Sequence, residues 1–326
     1  MDSLIGKYIG YISGIRRYSE RTCDIYHESL LEFARYVHGT ETGDISPEDL
    51  VPQVIRGYEV HLLEDKKMVP RTVNLHMSVL SGFCRYLLKQ GILQSNPVKS
   101  VTRPKMEKRL PEFFRKESME EYFRQTEYYA SEDSLFLSPD SRHNRHMYGK
   151  RLDRAIIATL YATGLRRSEL IGLRTGSVDF SRKTITVKGK GDKMREIPAV
   201  PSLLKEISLY LRSVELMVGG DRTPDSPLFV TFSGKALYPG YVDRAIKSEL
   251  GEIGSITGRK SPHVLRHTLA TELLDEGTGL NAIKELLGHS SLAATQVYTH
   301  NTIGRLKKVY ESAHPRARKN GGKNGD

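Results

Sequence analysis

Five short segments of this 326-residue chain carry side chains able to act together on a phosphodiester: ATGLRRSEL at 162–170, KGKGDK at 188–193, HVLRH at 263–267, LLGHSS at 286–291 and TQVYTH at 295–300. They offer arginines, a lysine on a Gly-flanked turn, histidines and a tyrosine, with no paired carboxylate in a matching position. That inventory suits attack at phosphorus without a metal, because two guanidiniums can clamp the non-bridging oxygens and offset charge building up in the transition state. His263 and Arg266 are three apart, so they share a helix face. They fall in the first turn of their helix, where free amides and the macrodipole favour an anion. Lys190, between Gly189 and Gly191, can swing to protonate a leaving oxygen, and the glycines let the backbone come close to a substrate. Tyr298 would be the nucleophile, its covalent link conserving the phosphodiester bond energy.

Taken singly, each segment has a plainer meaning. His263 and His267 stand four apart and could form half of a zinc site, but the intervening Glu of a metalloprotease is missing and the two cysteines, Cys23 and Cys84, lie far away in sequence. KGKGDK alone is a hairpin turn with solvated lysines, GLRRSEL a helix-turn-helix fragment with a surface arginine pair, and Tyr298 a core tyrosine. The case for chemistry rests on the conjunction of the segments and their order.

Those groups need elements to hold them, and the periodicity supplies candidates. Cys23, Tyr26, Leu30, Phe33 and Val37 step by three and four, as do Val73, Met77, Leu80, Cys84 and Leu87, so each set forms the apolar stripe of a helix. Ser19 is placed to cap the first, and Pro70 opens the second where a missing amide costs nothing. Residues 1–100 therefore read as a small all-helical domain. The stretch 96–111, with three prolines and several basic residues against a single acid, reads as a basic linker, its core at 101–111. Residues 126–150 are polar and interrupted, and read as a surface insertion. TITVKGKGDKMREIPAV alternates about a Gly-rich centre and predicts a β-hairpin among helices. Ser261-Pro262 opens a helix stopped at Gly277, a second short helix closes at Gly288, and Ser291 can cap another. This places the chemistry in a domain spanning 112–314, followed by a basic, Gly/Asn-rich tail at 315–326, expected to be disordered.

Composition narrows the class. An apolar share of 38 % spread along the chain excludes wholesale disorder. No apolar run reaches the roughly 18 residues of a membrane span, and the amino terminus lacks the pattern of a signal peptide. With only two cysteines, these features point to a reduced, cytoplasmic protein. Residues 1–105 carry 14 basic and 12 acidic side chains and the remainder 36 and 27. The positive excess thus sits in the second part, as suits a polyanionic partner whose phosphates it would neutralise.

In their order the five segments resemble the tyrosine recombinase, or phage integrase, superfamily, whose catalytic domain carries Arg, Lys, His-x-x-Arg, His or Trp, and Tyr. Arg166 matches the first arginine, with Arg167 where the family varies. Lys190 matches the hairpin lysine, and His263 and Arg266 the His-x-x-Arg box, with His267 the structural second histidine. His289 and Tyr298 complete the set. Residues 1–100 resemble the family's SAM-like core-binding domain, in which the pairs Arg21-Thr22 and Arg71-Thr72 would touch backbone phosphate unless they are only helix-start chemistry. The segment LKKVYESAHPRAR is similar to the Xer branch, and no arm-binding domain is expected ahead of the core-binding one.

The resemblance implies a mainly α fold with a small β-sheet or hairpin, arranged as a two-domain DNA clamp. It implies a site-specific recombinase acting on double-stranded DNA sites as a homo- or hetero-tetramer, nucleoid-associated, with a regulatory protein as a further partner. Tyr298 would attack the scissile phosphate to give a 3′-phosphotyrosine, with Arg166 and Arg266 holding the phosphate. Lys190 would protonate the 5′-oxygen, His263 act as general base, and His289 donate a hydrogen bond. One phosphodiester replaces another, so neither ATP nor metal is implied. Chromosome dimer resolution, DNA inversion and mobile-element integration all fit. Rivals are a type IB topoisomerase that relaxes supercoils with the same residues, a catalytically silent DNA-binding protein, and a zinc hydrolase built on the histidines.

Overall fold

The computed structural model describes residues 3–39, 44–106, 112–135, 141–189 and 192–288. The chain divides into two compact units, Met1–Arg109 and Leu110–Asp326.

The first unit is helical. α1 (Leu4–Gly10) runs into a π-helical turn (Tyr11–Ile15), followed by α2 (Glu20–His38), α3 (Pro52–Glu64) and α4 (Pro70–Lys89). The Ser19 side chain accepts the Thr22 N–H at the start of α2, and Pro70 opens α4, as the sequence predicts. Leu30 and Phe33 of α2, Ile55, Tyr58 and Leu62 of α3, and Val73, Met77, Leu80, Phe83 and Leu87 of α4 form one core. Cys23 and Cys84 are both buried free thiols, small hydrophobes of that core.

The second unit is built around α6 (Ser141–Thr163), packed against α8 (Pro201–Met217), α9 (Pro239–Glu249) and α10 (Pro262–Asp275). From Leu152 to Ala162 nearly every side chain of α6 is buried, as expected of a helix covered on all sides. α5 (Lys116–Gln125) precedes it; α7 (Arg167–Ile171) and α11 (Leu280–Leu287) are short. The alternating segment forms the predicted hairpin: β2 (Thr184–Lys188) lies antiparallel to β3 (Met194–Pro198), pairing Thr184 with Pro198 and Lys188 with Met194. A two-residue strand, β1 (Val178–Asp179), joins the free edge of β2. Ile185 and Val187 of β2 and Arg195 and Ile197 of β3 face inward, the period of two expected of strands.

One expectation is narrowed. The expected surface stretch at 126–150 is mostly exposed or half-buried where it is described, but it is not set off from the helix that follows: Glu127–Ala130 and Glu132–Leu135 are 3₁₀ turns, and 141–150 are the first turns of α6. The Arg151 guanidinium, buried at 2 % exposure, donates to the Ser134 carbonyl and hydroxyl, both at 2.5 Å, and to the Tyr129 carbonyl at 3.3 Å. Arg154 pairs with Glu206 of α8 at 2.8 Å and donates to the Phe123 carbonyl at 2.9 Å. Tyr148 is buried and donates to the Val230 carbonyl at 2.8 Å. Ser134 and Tyr148 anchor the stretch to the interior, as does the hydrogen bonding of Arg151 and Arg154 of α6, in line with the rule that buried polar groups are hydrogen-bonded. Residues 136–140 and the carboxyl-terminal tail lie outside the described residues. No described helix is long and apolar enough to cross a membrane.

Candidate active site

The Arg166 side of the site is set by the end of α6. Gly164 follows the helix with φ of 61°, a left-handed conformation that favours glycine. A Cβ there would stand 2.5 Å from Leu287 Cδ2 and 3.1 Å from Leu269 Cδ2. Arg166 comes two residues later, just ahead of α7, whose third residue, Glu169, turns back on it. Glu169 Oε2 accepts the Arg166 backbone N–H at 2.9 Å, as the acid of a capping box does, and Oε1 accepts from Arg166 Nη1 at 2.8 Å. Arg166 Nη2 donates to the Gly288 carbonyl at 3.1 Å.

The Arg266 side is set by the start of α10. Ser261 caps this helix, its side chain accepting from the Val264 N–H, with Pro262 in the first turn. Arg266 is 7 % exposed and donates from Nη1 to the Gly164 carbonyl at 2.6 Å and from Nη2 to the Leu287 carbonyl at 2.5 Å. The two arginines therefore meet at consecutive carbonyls, Leu287 and Gly288, where α11 ends and leaves acceptors free. The negative end of that helix suits a cation. Burial, and then the nearby Arg166, push the Arg266 pKa down to about 10, with Glu169 opposing; the group stays charged at neutral pH.

His263 lies one turn before Arg266, exposed. Burial, then the neighbouring Arg266 and the basic side chains of His267, Arg167 and Arg259, hold its pKa below the ordinary value. It is thus a neutral imidazole at physiological pH, the form that can accept a proton.

Two residues that join this region went unread in the sequence. Arg195 of β3 is buried and grips Glu169 with both prongs, Nη1 to Oε1 at 3.0 Å and Nη2 to Oε2 at 2.9 Å. Burial alone would raise the Glu169 pKa, but hydrogen bonds from Arg195 and then Arg166 outweigh it and hold the carboxyl below its ordinary value. Signals for both were present: Glu169 sits three residues after Arg166, the spacing of a capping acid, and Arg195 falls on the inward-facing positions of an alternating strand.

The structure brings Arg166, His263 and Arg266 to one region. Lys190, His289 and Tyr298 lie outside the described residues. Their neighbours Gly189 and Gly288 are described: a Cβ on Gly288 would stand 3.1 Å from the Arg195 guanidinium, and one on Gly189 3.4 Å from its Nη1. Arg167 forms an ion pair with Asp243 of α9. His267 is exposed on α10, and among the described residues no three His, Cys, Asp or Glu side chains are grouped to hold a metal ion. Arg21 and Thr22 open α2, Arg71 and Thr72 open α4, and both belong to the first unit. The Thr22 hydroxyl lies 2.8 Å from that of Ser19, and both arginines are exposed.

Comparison with known proteins identifies the family. Residues 141–305 match the phage integrase family, and residues 5–91 match its N-terminal SAM-like domain. Tyrosine recombinase XerC of Chlorobaculum parvum is 34 % identical over 318 residues, covering 95 % of this chain and 94 % of the relative. Its counterpart from Bacillus pumilus is 35 % identical over 321 residues, covering 96 % and 97 %. The solved structure of the Tn1549 transposon integrase in complex with transposon right end DNA superposes with a TM-score of 0.64 at 18 % identity, over 93 % of this chain and 97 % of that one, and shares the fold. The chain belongs to the phage integrase family and is a Xer-like tyrosine recombinase.

Proposed function

We propose that this recombinase exchanges strands between two double-stranded DNA sites through a 3′-phosphotyrosine, and that its role is the resolution of chromosome dimers. The observation that carries the reading is the convergence of Arg166 and Arg266 on the adjacent carbonyls of Gly288 and Leu287, which aims two guanidiniums at one locality, as a bound phosphate requires. The Tyr298 oxygen forms a bond to the scissile phosphorus as the bond to the 5′-oxygen breaks. His263 takes the tyrosine proton, Lys190 supplies a proton to the departing 5′-oxygen, which leaves as a hydroxyl, and His289 donates to a non-bridging oxygen. The same steps in reverse, with the 5′-hydroxyl of a partner duplex, restore the phosphodiester. Domain bounds of 1–100, 101–111, 112–314 and 315–326 accompany this reading.

Arg21, Thr22, Arg71, Thr72 and Arg167 contact phosphate along the site, and four protomers assemble on two sites. Support for DNA and oligomeric partners comes from the structural relatives, among them a lambda integrase tetramer bound to a Holliday junction. A regulatory protein partner and a nucleoid location belong to the same proposal.

The test is to lyse cells expressing wild-type protein or Tyr298→Phe under denaturing conditions, recover the protein and sequence any DNA covalently attached. DNA recovered only with the wild type, and mapping to one site near the replication terminus, is the expected result. Paired inverted repeats beside promoters would replace dimer resolution with inversion. Attachment that survives Tyr298→Phe would overturn the nucleophile, and no attachment in either case would favour a silent DNA-binding protein.

A further inference from the structure

Arg195 is an arginine placed on the inward face of a strand among Val187 and Ile197, where an apolar residue is the ordinary occupant. Its carboxylate partner, Glu169, is the one that also holds the backbone and side chain of Arg166. Around that single negative charge stand three guanidiniums, those of Arg166, Arg195 and Arg266, so the cluster keeps a surplus of two positive charges. A phosphodiester brings one negative charge, which grows toward two as the tyrosine oxygen adds to phosphorus, so the surplus matches the charge developed at the transition state. Without Arg195, the carboxylate would be balanced by Arg166 alone. The guanidinium of Arg166 would then be drawn wholly into Glu169, and the surplus would fall to one.

Resting on the recombinase reading above, we propose that Arg195 is a positioning residue for strand cleavage: it takes up the charge of Glu169, leaving Arg166 with charge and donors for the scissile phosphate. Its guanidinium also backs Gly189 and Gly288, the residues that lead directly into Lys190 and His289. One buried side chain thereby fixes the backbone at the approach to two further catalytic residues.

Cleavage is measured on a nicked suicide duplex carrying the DNA sequence recovered by covalent capture, with thermal melting and DNA binding followed in parallel. Arg195→Met is expected to slow cleavage at least about a hundredfold, the scale of losing one transition-state donor, with DNA binding within a few-fold. Arg195→Lys, which keeps the charge, is expected to recover part of the rate. The decisive variant adds Glu169→Gln to Arg195→Met. With the acid gone the arginine has nothing to neutralise, so the double variant is expected to cleave faster than Arg195→Met and within about tenfold of Glu169→Gln alone. A purely structural role predicts no such recovery.

If Arg195→Met does not fold, the comparison of the double variant with Glu169→Gln still decides. A double variant about a hundredfold below Glu169→Gln, or near-normal cleavage by a folded Arg195→Met, would overturn the proposal. Wild-type protein that yields no Tyr298-dependent adduct would sink the recombinase reading and this inference with it.

Discussion

Glu169 and Arg195 form a two-pronged ion pair inside the protein, 2.9 and 3.0 Å on its two arms, and the first of the two family arginines hangs from the same carboxylate. A buried pair of this kind adds little to stability compared with apolar residues of similar size, because both charges lose their hydration. Its value lies in direction. Parallel N–H to oxygen bonds fix the plane of the carboxylate, and with it the backbone and side chain of Arg166. Arg266 is fixed differently, by the carbonyls of Gly164 and Leu287.

The two family arginines should consequently separate in their effects on stability. Arg166→Ala and Arg266→Ala are each expected to slow strand cleavage at least about a hundredfold. Arg266→Ala should also lower the melting temperature, since two buried carbonyls lose their donor at roughly 1–3 kcal/mol each. Arg166, with 36 % of its side chain exposed, should cost little. Melting curves beside single-turnover cleavage check both, and near-normal cleavage by either variant would mean that arginine does not hold the phosphate.

His263 predicts the acid limb of the pH–rate profile. A base with a lowered pKa is neutral above that value, so cleavage should rise with pH, level off below the ordinary histidine value of about 6.5, and stay flat through neutrality. His263→Ala should remove this limb and slow the plateau. A midpoint above about 7 would point to a different base.

Glu272 predicts a stability dependence of opposite sign to that of an ordinary salt-bridged acid. It is buried and accepts from the Tyr161 hydroxyl at 2.8 and 2.9 Å; burial pushes its pKa up to about 7 against that hydrogen bond. The folded state holds its proton between about 4.5 and 7 while the unfolded chain does not. The Glu272 contribution is therefore in full effect below the unfolded value and lost as pH climbs to 7. Glu272→Gln should flatten the melting temperature across that window and stabilise the protein at pH 7.5, by on the order of 2 kcal/mol. Equal slopes in the two proteins would refute this.

Gly164→Ala tests the joint between the two arginines. The left-handed backbone costs a side chain about 1–2 kcal/mol, and the new methyl would meet Leu287 and Leu269. Lower stability is expected together with slower cleavage, because the Gly164 carbonyl that holds Arg266 must shift. Unchanged cleavage in a folded variant would show that this carbonyl does not position Arg266.

The sequence by itself determined the helical first unit, the hairpin and the capped start of α10, and it marked Arg166, His263 and Arg266 as candidates that the fold brings to one region. These rest on periods of 3.6 and 2, on Ser, Pro and Gly at helix ends, and on motif spacing, all written over a few consecutive residues. The junction at 141–150 escaped it, because the polar run RHNRHMYGK gives no apolar period from which the first turns of α6 could be read.

Only the tertiary structure decided that Glu169 and Arg195 meet beside Arg166. The two lie 26 positions apart, on a short helix and on a strand, and neither element signals the other. What joins them is the physical demand that a carboxylate and a guanidinium taken out of water find each other, a demand met across space and invisible along the chain.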